Sequence, residues 1–513
     1  MTSSFVCQKD FIDLISTRTR ILYNYCRYLV EHENPDKIMN RPFFGITLSQ
    51  SVQLEELLDA YGASNNQQWS KFRSLVATIK RFSDISYELL HIGYGIPGYR
   101  LLDVGQDFNS STQTILEFTR RTVHRAAANF VSHCSLLGIK CQYTELSDRN
   151  LIEDLPIGRL PTDQATRHVT DVGKIVTTLS TSFLNITADT TLKNIIKAEK
   201  PFDYASYMMS AISEENLRTL ELKFHNLQSL YDTYVSKTDT EILDKDLSIL
   251  RGHISAVFHI LTVATSLSHY YERHLGAVTE EDERFKQQMV HPVTLLAFII
   301  DYCIEYMKLY IESAKKLCHD MLKRYSEMSE ITVPVPRYRG FHVRPSTLIA
   351  LIANHYGSEL VMYLKDQKYN AAIPLDLFRA NELINAEKRK GLSQEILKID
   401  AIKNYSGNED IRRVVHNVLL KLADKGKLMI YEQPLEISDC ETKSDLTVVE
   451  QVRSEVARLL AIGKIDIVTD LKIKFHGDKR VLEDIKLLAH FGYGEDNFGN
   501  NIPLPPRLAY LRK

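Results

Sequence analysis

The sequence predicts a multidomain fold: a mainly α-helical N-terminal region over residues 1–328, an α+β unit over 329–426, and a small mixed α/β extension over 427–513. Three observations predict it. The length of 513 residues suits several domains. Only 21 glycines and 15 prolines serve that length, which favours long helices over tight turns. Near residue 330 the apolar spacing changes from three and four to two, as Ile331-Thr-Val-Pro-Val-Pro begins.

Within the first region, Phe11, Leu14, Ile15, Ile21, Leu22 and Tyr25 form one helical stripe, and Val76, Ile79, Phe82, Ile85 and Leu89 form another. Further helical patterns cover about 114–137, 166–186, 204–236, 240–274 and 292–326. Loops near 34–41, 93–98 and 155–162 collect proline and glycine. A bundle buried by helix–helix packing is expected.

The α+β unit opens with a proline-bearing edge strand at 331–336. A helix over 346–356, strands at 360–364 and 368–373, and a helix over 375–390 closed by Gly391 follow. A strand at 395–402 and an amphipathic helix at 410–423 complete about 100 residues. Beyond Gly426, strands are expected at 428–437 and 465–475, helices at 447–462 and 478–490, and a loop-like end from 492 to 512.

The segment with chemistry in it is Gly340-Phe341-His342-Val343-Arg344-Pro345-Ser346-Thr347, at the join of the first strand and first helix. A helix start offers open backbone N–H groups and the positive end of the helix dipole, a good seat for phosphate. His342, Val343 and Arg344 are the expected phosphate-binding residues. Arg344 brings a permanent cation, Pro345 suits a first turn, and Gly340 permits close backbone approach. Cationic surroundings would keep the His342 imidazole neutral, with a lone pair able to attack phosphorus.

This segment resembles the Gly-Leu-His-Ala-Arg-Pro motif of HPr, the phosphocarrier of the bacterial phosphoenolpyruvate:sugar phosphotransferase system. The resemblance covers roughly residues 330–426 and implies an open-faced β-sandwich of four strands and three helices. It implies that His342 is the catalytic, phosphorylated residue through Nδ1, that Arg344 contacts the phosphate, and that Enzyme I or a similar donor acts in trans. No Enzyme I phosphohistidine motif occurs in the chain, and no cofactor or metal is expected. The stretch Ala372-Ile-Pro-Leu-Asp376-Leu has no serine where many family members carry a regulatory one. The second helix, with Glu387-Lys-Arg-Lys390, is more charged than the family's apolar docking patch. The alternative reading is a scaffold or interaction protein with a degenerate HPr-like domain.

Other signals point to structure. Gly93-Tyr-Gly-Ile-Pro-Gly98 follows a helical pattern and holds a proline, so a helix–helix loop is expected, not a dinucleotide fingerprint. His253, His259, His269 and His274 are spaced six, ten and five apart, which does not stack them on one helical face for a metal. Arg120, Arg121, His124 and Arg125 read as a solvated face, and Gly492-Tyr-Gly-Glu-Asp-Asn-Phe-Gly499 as a surface loop. The net charge of −2 gives no global pull toward nucleic acid. Seven scattered cysteines without a CxxC pair fit a reducing compartment. The start lacks a signal-peptide pattern and no apolar run is long enough to span a bilayer, so a cytoplasmic protein is expected, with an unknown protein partner for the helical region.

Overall fold

A computed structural model describes residues 5–144, 146–148, 151, 160–161, 166–197, 212–276, 280–399, 402, 410–431, 435 and 447–512. The chain divides into two compact units, Met1–Met321 and Leu322–Lys513. The first is helical throughout its described elements, and the second combines helices with a four-stranded and a two-stranded antiparallel sheet.

The helical unit is built from α1 (Gln8–Glu31), α2 (Arg41–Ala60), α3 (Ser70–Gly95), α4 (Phe108–Leu136), α5 (Val172–Thr187), α6 (Glu214–Val235), α7 (Asp246–His274) and α8 (Pro292–Arg324), with shorter helices between them. Side-chain caps open several of them. Asn40 accepts from Phe43 N, Asp107 from Ser110 N, Asp171 from Lys174 N and Ser213 from Asn216 N. The stripe from Val76 to Leu89 is buried as expected, and α3 packs against α2, α4 and α7. The α2 helix has no counterpart in the sequence reading, because its first turns mix Gly45 and β-branched residues with the aromatic pair Phe43 and Phe44. The α7 helix is apolar nearly all round and therefore buried nearly all round. It is long and apolar enough to cross a membrane, and 72% of its apolar window is buried inside the unit. In α8, residues Phe298–Ile304 form a π-helical stretch between two α-helical ones.

The second unit begins with β1 (Met328–Pro334), then α9 (Val343–Tyr356), β2 (Leu360–Leu364), β3 (Gln367–Asn370) and α10 (Pro374–Ile396). After α10 the chain forms α11 (Ile411–Asp424), β4 (Leu428–Ile430), α12 (Val448–Ala461) and β5 (Ile465–Ile467). It then returns with β6 (Lys472–Asp478) and α13 (Lys479–His490). The larger sheet has the order β1-β6-β2-β3, so β6 is an inner strand. Phe475 stands opposite Ile331 on one side and Met362 on the other. One face carries buried Val333, Leu360, Met362, Leu364, Ile473 and Phe475. Lys474 and Glu330, paired across strands, lie half exposed on the other.

Four expectations are corrected here. Gly391 does not close the second helix. The stripe Leu377, Ala380, Ile384, Lys388, Leu392 and Ile396 continues straight through it, and its burial outweighs the cost of one internal glycine. The strand expected at 395–402 is instead the end of α10 and a turn, with residues 400 and 401 outside the description. The single strand expected at 465–475 is two strands, β5 and β6, in different sheets. The expected boundary at residue 426 falls between parts of one unit, because β1, on one side of it, pairs with β6 on the other.

Residues 397–471 are thus an insertion between α10 and β6 with its own core. Val414, Val418, Leu419 and Leu422 of α11, Val452, Val456 and Leu459 of α12, and Ile465 and Ile467 of β5 meet Leu392 and Ile396 from the end of α10. The strand expected over 428–437 is described only as Leu428–Ile430, its later part lying largely outside the described residues. Thr447 and Glu450 form a capping box at the start of α12.

Candidate functional site

His342 is the N-cap residue of α9, and the first backbone bond of that helix runs from Ser346 N to His342 O at 3.2 Å. Pro345 carries no N–H, so the first-turn amides are those of Val343 and Arg344. Two consecutive left-handed residues, Arg339 (φ 51°) and Gly340 (φ 63°), turn the chain into this position. Asn381 of α10 holds the turn: its Oδ1 accepts from Phe341 N at 2.9 Å and its Nδ2 donates to Arg339 O at 3.1 Å. A Cβ at position 340 would sit 2.1 Å from Asn381 Oδ1, so glycine is required there by both conformation and space.

The second half of the site comes from the loop after α13. Gly492, Tyr493 and Gly494 all have positive φ, and the buried Tyr493 hydroxyl donates to Pro334 O at 2.6 Å. Gly494 permits close approach, since a Cβ there would lie 3.3 Å from Arg344 Nε and 3.2 Å from Leu348. This turn delivers Glu495, whose buried carboxylate lies 3.1 Å from His342 Nε2 and 3.9 Å from Arg344 Nε. Arg344 Nη1 donates to Asn501 Oδ1. Arg344 Nε is buried and has no hydrogen-bond partner among the described residues. Asp496 stabilises the loop by accepting from the Phe498 and Asn500 amides, and these bonds, led by the one from the Asn500 side chain, hold its carboxyl below the usual range.

The nearest charge to the His342 ring is therefore a carboxylate, where the sequence suggested wholly cationic surroundings. Nδ1 faces the Gly340 carbonyl at 3.1 Å while Nε2 faces Glu495. A neutral imidazole can donate to only one of these acceptors. With its hydrogen on Nε2, donated to Glu495, the ring keeps the Nδ1 lone pair. Tyr338 packs edge-on against the ring, which is 25% exposed. The structure places His342, Val343 and Arg344 at the start of α9 and sets Glu495 and Asn381 beside them. Gly492-Tyr-Gly-Glu marked a forced turn in the sequence, with two glycines around a tyrosine, but nothing in it tied Glu495 to His342.

The weaker candidates have structural partners. Arg120 donates to Met39 O, and Arg125 to the carbonyls of Gln288 and Met289 at a helix end. His253 faces Ile249 O, and His259 pairs with Glu88. His269 and His274 face each other at 3.3 Å amid Arg73, Arg81 and Glu214. Among the described residues no group of three or more His, Cys, Asp or Glu is placed to hold a metal ion. Gly93 and Gly95 lie in the last turns of α3. Comparison with models of protein families, with curated proteins and with solved structures gave no match to this chain.

Proposed function

We propose that this protein is an HPr-like phosphocarrier or regulator that accepts a phosphoryl group on His342. The observation that carries the reading is a histidine at a helix start with Arg344 two residues on, whose buried Nε makes no hydrogen bond among the described residues and has only the Glu495 carboxylate near it, at 3.9 Å. The order strand, helix, two strands, helix, strand, helix around an antiparallel sheet, once the insertion is set aside, supports the resemblance to HPr.

In the transfer, the Nδ1 lone pair of His342 attacks phosphorus of a phosphohistidine donor such as Enzyme I. The bond between phosphorus and the donor's ring nitrogen breaks, and its electron pair returns to that nitrogen. The hydrogen stays on Nε2 against Glu495, whose charge balances the one the ring acquires. Attack requires that the Nδ1 contact with Gly340 O open. Arg344 and the Val343 and Arg344 amides would take the phosphoryl oxygens. The reading implies a cytoplasmic protein supplied in trans, with the helical unit engaging a further protein.

The test is incubation with phosphoenolpyruvate and Enzyme I. An acid-labile, alkali-stable label on wild type and none on His342→Ala is expected. Absence of label, or label surviving the substitution, would overturn the reading. A second reading, an interaction module that does no chemistry, is favoured by the engagement of Nδ1 with Gly340 O. It predicts that His342→Ala leaves partner recovery unchanged.

A further inference from the structure

His342 also lines a cleft of about 450 Å³ that Glu495 does not line. One wall is α10, with Asn381, Asn385, Lys388 and Arg389. The other is the insertion, with Ala457, Leu460 and Ala461 of α12 and Ile465, Asp466 and Ile467 of β5. The volume lies within the range of small-molecule sites. Lys388 and Asp466 pair at 3.3 Å with both side chains buried, and so cancel each other. Arg339 and Arg389 are left over, both exposed, with no carboxylate partner among the described residues. The cleft therefore carries two uncompensated guanidinium groups and two side-chain amides around the rim that contains His342.

Arg339 is held in place before any ligand arrives. Its backbone N–H donates to Asp466 Oδ2 at 2.8 Å. Its guanidinium lies over the Tyr338 ring at 5.2 Å and so close to Gly463 that a Cβ there would stand 2.1 Å from Nη2. A cation fixed in this way loses little freedom on binding an anion, and a planar guanidinium matches phosphate oxygens two at a time. The insertion wall also narrows this approach to His342. A protein partner needs about 800 Å² of surface on its own side, which suits an open face and not a recess of this size.

We infer that the cleft between α10 and the insertion, through Arg339, Arg389, Asn381 and Asn385, binds a small phosphate-bearing molecule whose phosphate lies beside His342. The inference deepens the phosphocarrier reading and rests on it for its meaning, but its test is separate. In calorimetric titration of the full chain, glycerol 3-phosphate and glucose 6-phosphate are expected to bind, while glycerol and glucose are not. Inorganic phosphate separates the two sources of that chemistry: binding as tight as the sugar phosphates assigns the cleft to phosphate alone, and weaker binding assigns it to the whole ester. The Arg339→Gln, Arg389→Gln double variant is expected to weaken binding by about 10-fold or more. Because the titration needs neither phosphoenolpyruvate nor Enzyme I, a wild-type chain that takes no label but still binds the sugar phosphates would leave the cleft assignment standing. Gly463→Ala, which displaces the Arg339 guanidinium without removing a charge, is expected to weaken binding as well. No binding by any phosphate compound, or binding unchanged in the double arginine variant, would overturn the inference.

Discussion

At the scale of single residues, the chemistry of His342 depends on two neighbours far away in sequence. Glu495 faces Nε2, and Asn381 holds the turn that carries the ring. Glu495→Gln keeps the shape but can offer its N–H₂ group to Nε2, which would select the opposite tautomer. Labelling of His342 is expected to slow by roughly 10- to 100-fold, as when other orienting partners of histidine are lost. A rate equal to wild type would show that Glu495 does not orient the ring. Asn381→Ala leaves the Phe341 amide and the Arg339 carbonyl without their partner, and a loss of about 1–2 kcal/mol is expected in denaturant unfolding. His342 and Arg344 were legible in the sequence because they stand two apart in one motif. Glu495 was not, because 153 positions separate it from His342 and only folding joins them.

Among the elements, α10 does two jobs. Its first half supplies Leu377, Ala380 and Ile384 to the unit's buried interior, and its last turns supply Leu392 and Ile396 to the core of the insertion. Lys388 sits between the two halves and pairs with Asp466 of β5. Lys388→Ala would strand a buried carboxylate and is expected to cost about 3–5 kcal/mol, whereas Leu392→Ala should cost about 2–4 kcal/mol. Unfolding followed by circular dichroism checks both, and a cost below about 1 kcal/mol for Lys388→Ala would show that the ion pair is dispensable. Periodicity made most helices legible, including α3, α9 and α13. It could not show that the amphipathic α11 belongs to a second core, because a stripe reports that a face is buried and not against what. Nor could it separate β5 from β6, since Ile465, Ile467, Ile473 and Phe475 read as one alternating run until Thr469 and Asp470 are seen to break the pairing.

On the scale of the whole molecule, the two units should respond to acid differently, and the single tryptophan offers a way to watch one of them. Trp69 is buried in the helical unit against Phe11 and Phe72. Nearby, burial pushes His274 down to about 3, from an ordinary 6.5. Burial works against the Glu214 carboxylate, yet a hydrogen bond from Arg218 and the neighbouring His269 hold it down at about 2, from 4.5. An unfolded chain takes up a proton at His274 near pH 6.5 that the folded chain refuses until far lower pH. Stability of this unit is therefore full above pH 6.5 and falls as pH drops through that value towards 3, by at most about 1.4 kcal/mol per pH unit from His274. Glu214 adds a further loss below 4.5. The urea midpoint read by Trp69 fluorescence is expected to be lower at pH 5 than at pH 7, and His274→Gln should flatten that slope. The chain Leu322–Lys513, made without the helical unit, is expected to fold and to give a dispersed amide spectrum.

The inner position of β6 has a consequence for how the chain is made. Neither β1 nor β2 has its shared neighbour until residues 472–478 emerge from the ribosome, long after His342 and its helix have been synthesised. The insertion, whose contacts are close in sequence, can form first, on the already finished end of α10. The contact between His342 and Glu495 is then assembled last, because Glu495 arrives only after the strand that closes the sheet. A nascent chain stopped anywhere before that strand would hold the whole segment from Gly340 to Thr347 without the sheet and the Glu495 turn that surround His342 in the finished fold.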